Sequence, residues 1–128
     1  MIHGVGVDIV AIARIERLLA RHGERAAVRL LAAAEMERYR QTSKPAAFLA
    51  KRFAAKEALG KALGLGVRDP ATLHNIAVTS DDLGRPGFDY APPLADWMRA
   101  RRLRAHLSLS DETDTALAFV VVESVDSP

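Results

Sequence analysis

The sequence contains no cysteine, so neither a disulfide framework nor a thiolate metal site is available to it. Aromatic residues make up only 5% of its 128 residues and are not interleaved with the basic clusters. A base-stacking platform requires that interleaving, so nucleic acid is not the expected partner. No apolar run approaches the ~20 residues of a membrane span. The opening residues, Met1-Ile2-His3-Gly4-Val5-Gly6-Val7-Asp8, lack a basic segment followed by a long apolar one, which leaves the cytoplasm as the expected compartment. There is no internal repeat, linker or low-complexity tract, and the length suits a single domain over residues 1–128.

What is present is ordinary in amount, with 49% hydrophobic and 27% charged residues. The net charge is only +2, yet the pI is about 9.3 and the positive charge is almost all arginine. Arginine pairs in bidentate fashion with phosphates and carboxylates, which points to an anionic partner.

The stretch Lys51-Arg52-Phe53-Ala54-Ala55-Lys56-Glu57-Ala58-Leu59-Gly60-Lys61-Ala62-Leu63-Gly64 organises the chain. At 100° per residue Phe48, Ala55, Ala58, Leu59 and Ala62 share one side, which reads as core. Glu57, Gly60, Lys61 and Gly64 share the other, so a carboxylate and an ammonium lie beside two positions without side chains. A glycine inside a helix costs about 1 kcal/mol relative to alanine, and the expected reason is the close approach of a ligand. A purely structural alternative exists: Glu57 and Lys61 form an i,i+4 pair, and Gly64 and Gly66 are suited to capping the helix end.

Ahead of this stretch, residues 2–10 read as a strand with Val5, Val7 and Ile9 on one face and Gly4, Gly6 and Asp8 on the other. Asp8 either caps the next helix or faces a ligand across the space its glycines leave. A helix over Ala11–Arg21 turns Ile12, Ile15, Leu18 and Leu19 inward and Arg14, Arg17 and Arg21 outward, and Arg25 and Arg29 extend the basic stripe. A second helical segment runs from Ala26 to Tyr39, with Val28, Leu31 and Met36 buried. Pro45 opens the central helix. Beyond Gly66 the pattern gives a strand at Asn75–Thr79, a tight turn from Asp81 to Gly87, a short strand at Phe88–Tyr90 and a helix after Pro92-Pro93. Two final strands follow: Ala105, Leu107 and Leu109 alternate with His106, Ser108 and Ser110, and Ala116–Glu123 is nearly all apolar. Asp126-Ser127-Pro128 reads as a fraying tail.

Gly4-x-Gly6-x-Asp8 with Arg14, Arg52-Phe53-Ala54-Ala55-Lys56-Glu57-Ala58 with Lys61, and His106-x-Ser108-x-Ser110-Asp111 occur in this order. Together they resemble the holo-acyl-carrier-protein synthase family, small bacterial 4′-phosphopantetheinyl transferases, over nearly the whole chain. The resemblance implies an α+β fold in which a curved antiparallel sheet wraps a long central helix, assembled as a homotrimer with active sites between subunits. It implies transfer of phosphopantetheine from coenzyme A to a serine of apo-acyl carrier protein, releasing adenosine 3′,5′-bisphosphate in support of fatty acid biosynthesis.

On this resemblance Asp8 and Glu57 would hold Mg²⁺, completed by the pyrophosphate of coenzyme A, and Lys61 would add a second positive charge. The serine proton would pass to Glu57 or to a water on the metal. Lys44, Arg52, the Gly64–Gly66 turn, Gly84-Arg85-Pro86 and His106, with Ser108 and Ser110 beside it, would hold the adenine and phosphates. Arg14, Arg21 and Arg25 would meet the acidic recognition helix of the carrier protein. Asp8, Glu57 and Lys61 would come from one subunit, and Arg52 and His106 from its neighbour.

Two features depart from the family pattern. Asp111 stands where many members have histidine, and Phe88-Asp89-Tyr90-Ala91-Pro92-Pro93 is less regular than the usual apolar strand and turn. Two other functions use overlapping residues. A non-catalytic module would bind an acidic partner through its arginines, and a Mg²⁺-dependent pyrophosphate hydrolase would deliver water in place of serine.

Overall fold

A computed structural model of the chain describes residues 1–125, so the expected tail at 126–128 lies outside the described residues. The elements follow in the order β1 (Ile2–Ala11), α1 (Ile12–His22), α2 (Glu24–Leu30), α3 (Met36–Gln41), α4 (Pro45–Leu63), β2 (Ile76–Ser80), β3 (Pro86–Tyr90), α5 (Pro92–Ala100), β4 (Leu103–Asp111) and β5 (Thr115–Ser124). Strands β1, β5 and β4 form an antiparallel sheet in that order, and β2 and β3 form a separate two-stranded ribbon. The fold is the expected α+β type with α4 at its centre, although the strands divide between two sheets. Among the described residues no helix is long and apolar enough to cross a membrane.

Helix α4 begins at Pro45, where a missing N–H is harmless, and stops at Gly64, whose φ of +79° favours glycine. Its burial corrects the two-sided reading. Leu49, Ala54, Ala55, Lys56, Ala58, Leu59, Gly60 and Leu63 are all buried, so the helix is enclosed on nearly every side. Alternate β5 residues, Ala116, Ala118, Val120 and Val122, are buried on the sheet's inner face. The intervening positions turn outward, as the two-residue strand period requires.

The glycines of β1 also have a different role from the one expected. A Cβ on Gly4 would lie 1.9 Å from the carbonyl oxygen of Ala62, and one on Gly6 1.9 Å from that of Ala58. Their face is pressed against the α4 backbone and is not open to a ligand. Gly60 is likewise filled from outside, since a Cβ there would lie 2.7 Å from the Gly66 carbonyl group. The Gly60 carbonyl accepts from the N–H groups of Leu65 and Gly66, closing the helix end.

The single helix expected over Ala26–Tyr39 is broken. Helix α2 ends at Leu30, a 3₁₀ turn occupies Ala33–Glu35, and α3 starts at Met36. Glu35 causes part of this break by accepting the Ala32 N–H on its own carboxylate at 2.9 Å, which offers the backbone an alternative to helix. Leu31 and Met36 are buried as expected, whereas Val28 is exposed.

Candidate active site

Because β1 lies so close to α4, Asp8 on the strand and Glu57 and Lys61 on the helix converge. Lys61 Nζ donates to the Val7 carbonyl at 2.9 Å and to Asp8 Oδ1 at 3.2 Å. Asp8 therefore does not cap α1, whose first N–H bonds instead to the Asp114 carbonyl at 3.0 Å. Burial raises the proton affinity of Glu57, the Asp8 carboxylate raises it further, and Lys61 and Arg14 oppose both effects. Two acidic groups facing each other with incomplete compensation suit a hard cation that takes oxygen ligands and leaves positions for phosphate. Among the described residues no three His, Cys, Asp or Glu side chains gather into a metal-binding group.

Arg14 links this corner to a groove between α1, α2 and α4. Its guanidinium lies 5.7 Å from the centre of the Phe53 ring. The groove, about 640 Å³, has Ile15, Leu18 and Phe53 among its apolar residues and Arg14, Arg25 and Arg29 among its basic ones. Arg17 and Arg21 line an adjoining depression with Arg14. The outward arginine stripe is as expected, but the apolar floor was missed, because Phe53 lies within a stretch assigned to core and motif.

A second cavity lies on another side of α4, since Arg52 and Glu57 are about 140° apart around the helix at 100° per residue. It measures about 370 Å³ and is lined by Arg38, Lys51, Arg52, Gly84, Pro86 and Asp111, among others. A smaller depression of about 210 Å³ contains Lys44 and shares Lys51 and Asp111. Arg52 is buried, with its guanidinium carbon 3.8 Å from the centre of the Phe48 ring. Burial lowers its proton affinity from the ordinary value, and Glu35 opposes that change. The turn carrying Gly84 is shaped by Asp81, whose carboxylate accepts the N–H groups of Leu83 and Arg85. The Arg85 side chain is exposed.

The expected nucleotide-binding residues are thus only partly gathered within one chain. Lys44, Arg52, Gly84 and Pro86 share the two adjoining cavities. Gly64 and Gly66 close the far end of α4. His106 and Ser108 are exposed and alternate along β4 with Leu109, which lines the Arg52 cavity, so they occupy the opposite sheet face. There His106 pairs with Glu123, whose carboxyl is held below its usual range chiefly by that hydrogen bond.

Several site residues were not singled out from the sequence. Glu123, at the strand end that resembles the family's terminal Val-Glu feature, had no partner assigned to it; the hairpin register sets Arg104 opposite it and His106 one diagonal step away. Asp111, noted as a departure, stands 3.6 Å from Lys51. For Arg38 and Glu35 no local sequence signal existed.

Residues 4–120 match a family described as the 4′-phosphopantetheinyl transferase superfamily. A holo-[acyl-carrier-protein] synthase from Azoarcus sp. (strain BH72) is 59% identical, over 97% of this chain and 99% of its own length. The crystal structure of holo-[acyl-carrier-protein] synthase from Neisseria meningitidis superposes with a TM-score of 0.93 at 48% identity, covering 96% of this chain and 99% of that one. A Bacillus anthracis holo-(acyl-carrier-protein) synthase, solved in complex with CoA (3′,5′-ADP), gives a TM-score of 0.81 at 35% identity over 98% and 99% of the two chains.

Proposed function

The chain belongs to the 4′-phosphopantetheinyl transferase superfamily, and from that premise we propose how its residues divide the reaction. The enzyme transfers 4′-phosphopantetheine from coenzyme A to a serine of apo-acyl carrier protein, yielding holo-acyl carrier protein and adenosine 3′,5′-bisphosphate. The observation that carries the assignment of roles is the convergence of Asp8, Glu57 and Lys61 beside the arginine groove.

Asp8 and Glu57 would hold Mg²⁺, which supplies charge compensation to the pyrophosphate when bound. Lys61 has three N–H donors, and Val7 and Asp8 occupy two of them, so the third is free for a phosphate oxygen. Glu57 would be the proton acceptor for the serine hydroxyl. The serine oxygen forms a bond to the phosphorus bearing the pantetheine arm, and the bond from that phosphorus to the bridging oxygen breaks. Arg14, Arg21 and Arg25 would orient the acidic carrier protein, and the apolar groove floor would exclude water from the contact.

Lys44, Arg52, Gly84, Arg85, Pro86, His106 and Ser108, with Gly64 and Gly66, would bind coenzyme A. Their dispersal over separate faces of one chain supports a site completed by a second copy. Val5, Val7, Ile9 and Phe119 are 52%, 42%, 61% and 40% exposed on one sheet face, an apolar patch that favours burial. A cytoplasmic homotrimer with its sites between subunits accounts for both features.

The test is the intact mass of an apo-acyl carrier protein after incubation with the enzyme, coenzyme A and Mg²⁺. The expected outcome is a gain of one phosphopantetheine, prevented by EDTA. Cleavage of coenzyme A with no change in carrier mass would favour a hydrolase instead.

A further inference from the structure

Among the described residues the most enclosed polar cluster lies away from the proposed reacting groups. Lys56 is fully buried, and its ammonium donates to the carbonyls of Leu30 at 3.0 Å and Leu73 at 2.9 Å and to Glu35 Oε1 at 2.5 Å. All three of its protons are thereby used. Glu35 is equally occupied. Oε1 also accepts the Ala32 N–H, while Oε2 accepts the Val78 N–H at 3.1 Å and lies 3.2 Å from Arg52 Nε. That last contact is ionic, because the Nε–H is not aligned for a hydrogen bond.

Neither Glu35 nor Lys56 has capacity left for a ligand. Arg52 does, since its Nε end faces Glu35 and its ring-facing side is covered by Phe48, while the residue lines the cavity with Arg38 and Lys51. The Arg38 charge opposes that of Arg52, whereas Lys51 has Asp111 as a counter-charge in the same cavity. Without an anchor, repulsion would drive the guanidinium toward solvent. Through the Val78 N–H the same carboxylate also fixes β2, the strand leading into the Gly84–Pro86 wall of this cavity.

We propose that Glu35, locked in place by Lys56, is a positioning residue that holds the Arg52 guanidinium at the anion cavity and so sets affinity for coenzyme A without touching it. The inference rests on the reading that Arg52 binds coenzyme A. A preorganised arginine loses less side-chain freedom on binding than a free one, so the benefit appears in substrate affinity and not in the chemical step.

Kinetics of Glu35→Gln, Arg52→Met and the Glu35→Gln/Arg52→Met double variant test the proposal, each checked for a native thermal transition. Glu35→Gln is expected to raise KM for coenzyme A about tenfold, with kcat and KM for the carrier protein near wild type. In the Arg52→Met background it should add nothing, because residues acting through one contact are non-additive. A Glu35→Gln variant with unchanged KM while Arg52→Met raises it would overturn the positioning role and leave the Arg52 assignment standing. If Arg52→Met itself leaves coenzyme A affinity unchanged, the underlying reading fails and the inference with it.

Glu35→Gln leaves a buried ammonium short of its counter-charge, so Glu35→Gln/Lys56→Met serves as a better-packed companion with the same expected KM effect. On the wild-type protein, the Arg52 Nε–H should exchange slowly with water by NMR. Fast exchange would show that Arg52 is not held, whatever the variants do.

Discussion

The Asp8 carboxylate makes the charge on Glu57 more costly, and a divalent cation held by the two would relieve it. Burial first and Asp8 second raise the proton affinity of Glu57 from the ordinary carboxylate value. As pH falls through that raised value Glu57 gains a proton and metal affinity should fall with it. Asp8→Asn removes the second cause only. The Glu57 midpoint should therefore move down, as read by carboxyl NMR of the metal-free protein; an unmoved midpoint would mean that Glu57 does not sense Asp8. The same substitution should lower kcat by about 10²- to 10³-fold. Asp8, Glu57 and Lys61 were legible in the sequence because chemistry-bearing residues recurred beside glycines on two elements. The glycines do not make room for a ligand, as expected, but let strand pack on helix, and that packing brings the carboxylates together.

Strand β1 and helix α4 act as one unit whose separation is set by missing side chains. Gly6→Ala would force a methyl group to within 1.9 Å of the Ala58 carbonyl, and backbone cannot yield as a flexible side chain can. A loss of about 3 kcal/mol or more in urea unfolding is expected, together with reduced kcat as Asp8 is displaced. A loss well under 1 kcal/mol would show that the strand can move away freely. Helix α1 contributes through charge at its surface. Arg14→Glu should raise KM for the carrier protein more than KM for coenzyme A, and the gap should narrow with added salt; equal losses would contradict its place in the docking face. Periodicity made α1 and β4 readable from sequence, while α4 was legible from Pro45 at its start, its run of strong helix formers and Gly64 at its end. The break between α2 and α3 was not, because Glu35 decides it through partners 21 and 43 residues further along the chain.

At the scale of the whole molecule, the chain has the proposed catalytic corner, the cavity proposed for the nucleotide on another side of α4 and a polar and apolar sheet face carrying His106. No local pattern shows whether these form one site, because contacts between copies would join residues that are neighbours neither in sequence nor within one chain. A second copy would both cover Val5, Val7, Ile9 and Phe119 and bring the dispersed residues together. Subunit complementation tests this most directly. Asp8→Ala and an Arg52→Met/His106→Ala variant, each with little activity alone, are unfolded together, refolded as a mixture and assayed by the mass gain of apo-acyl carrier protein. Sites shared between neighbours predict recovery of about a quarter of wild-type activity at equal mixing, since random assembly leaves that share of interfaces intact on both sides. Activity no greater than that of the separate variants would contradict a site built from two copies of the chain.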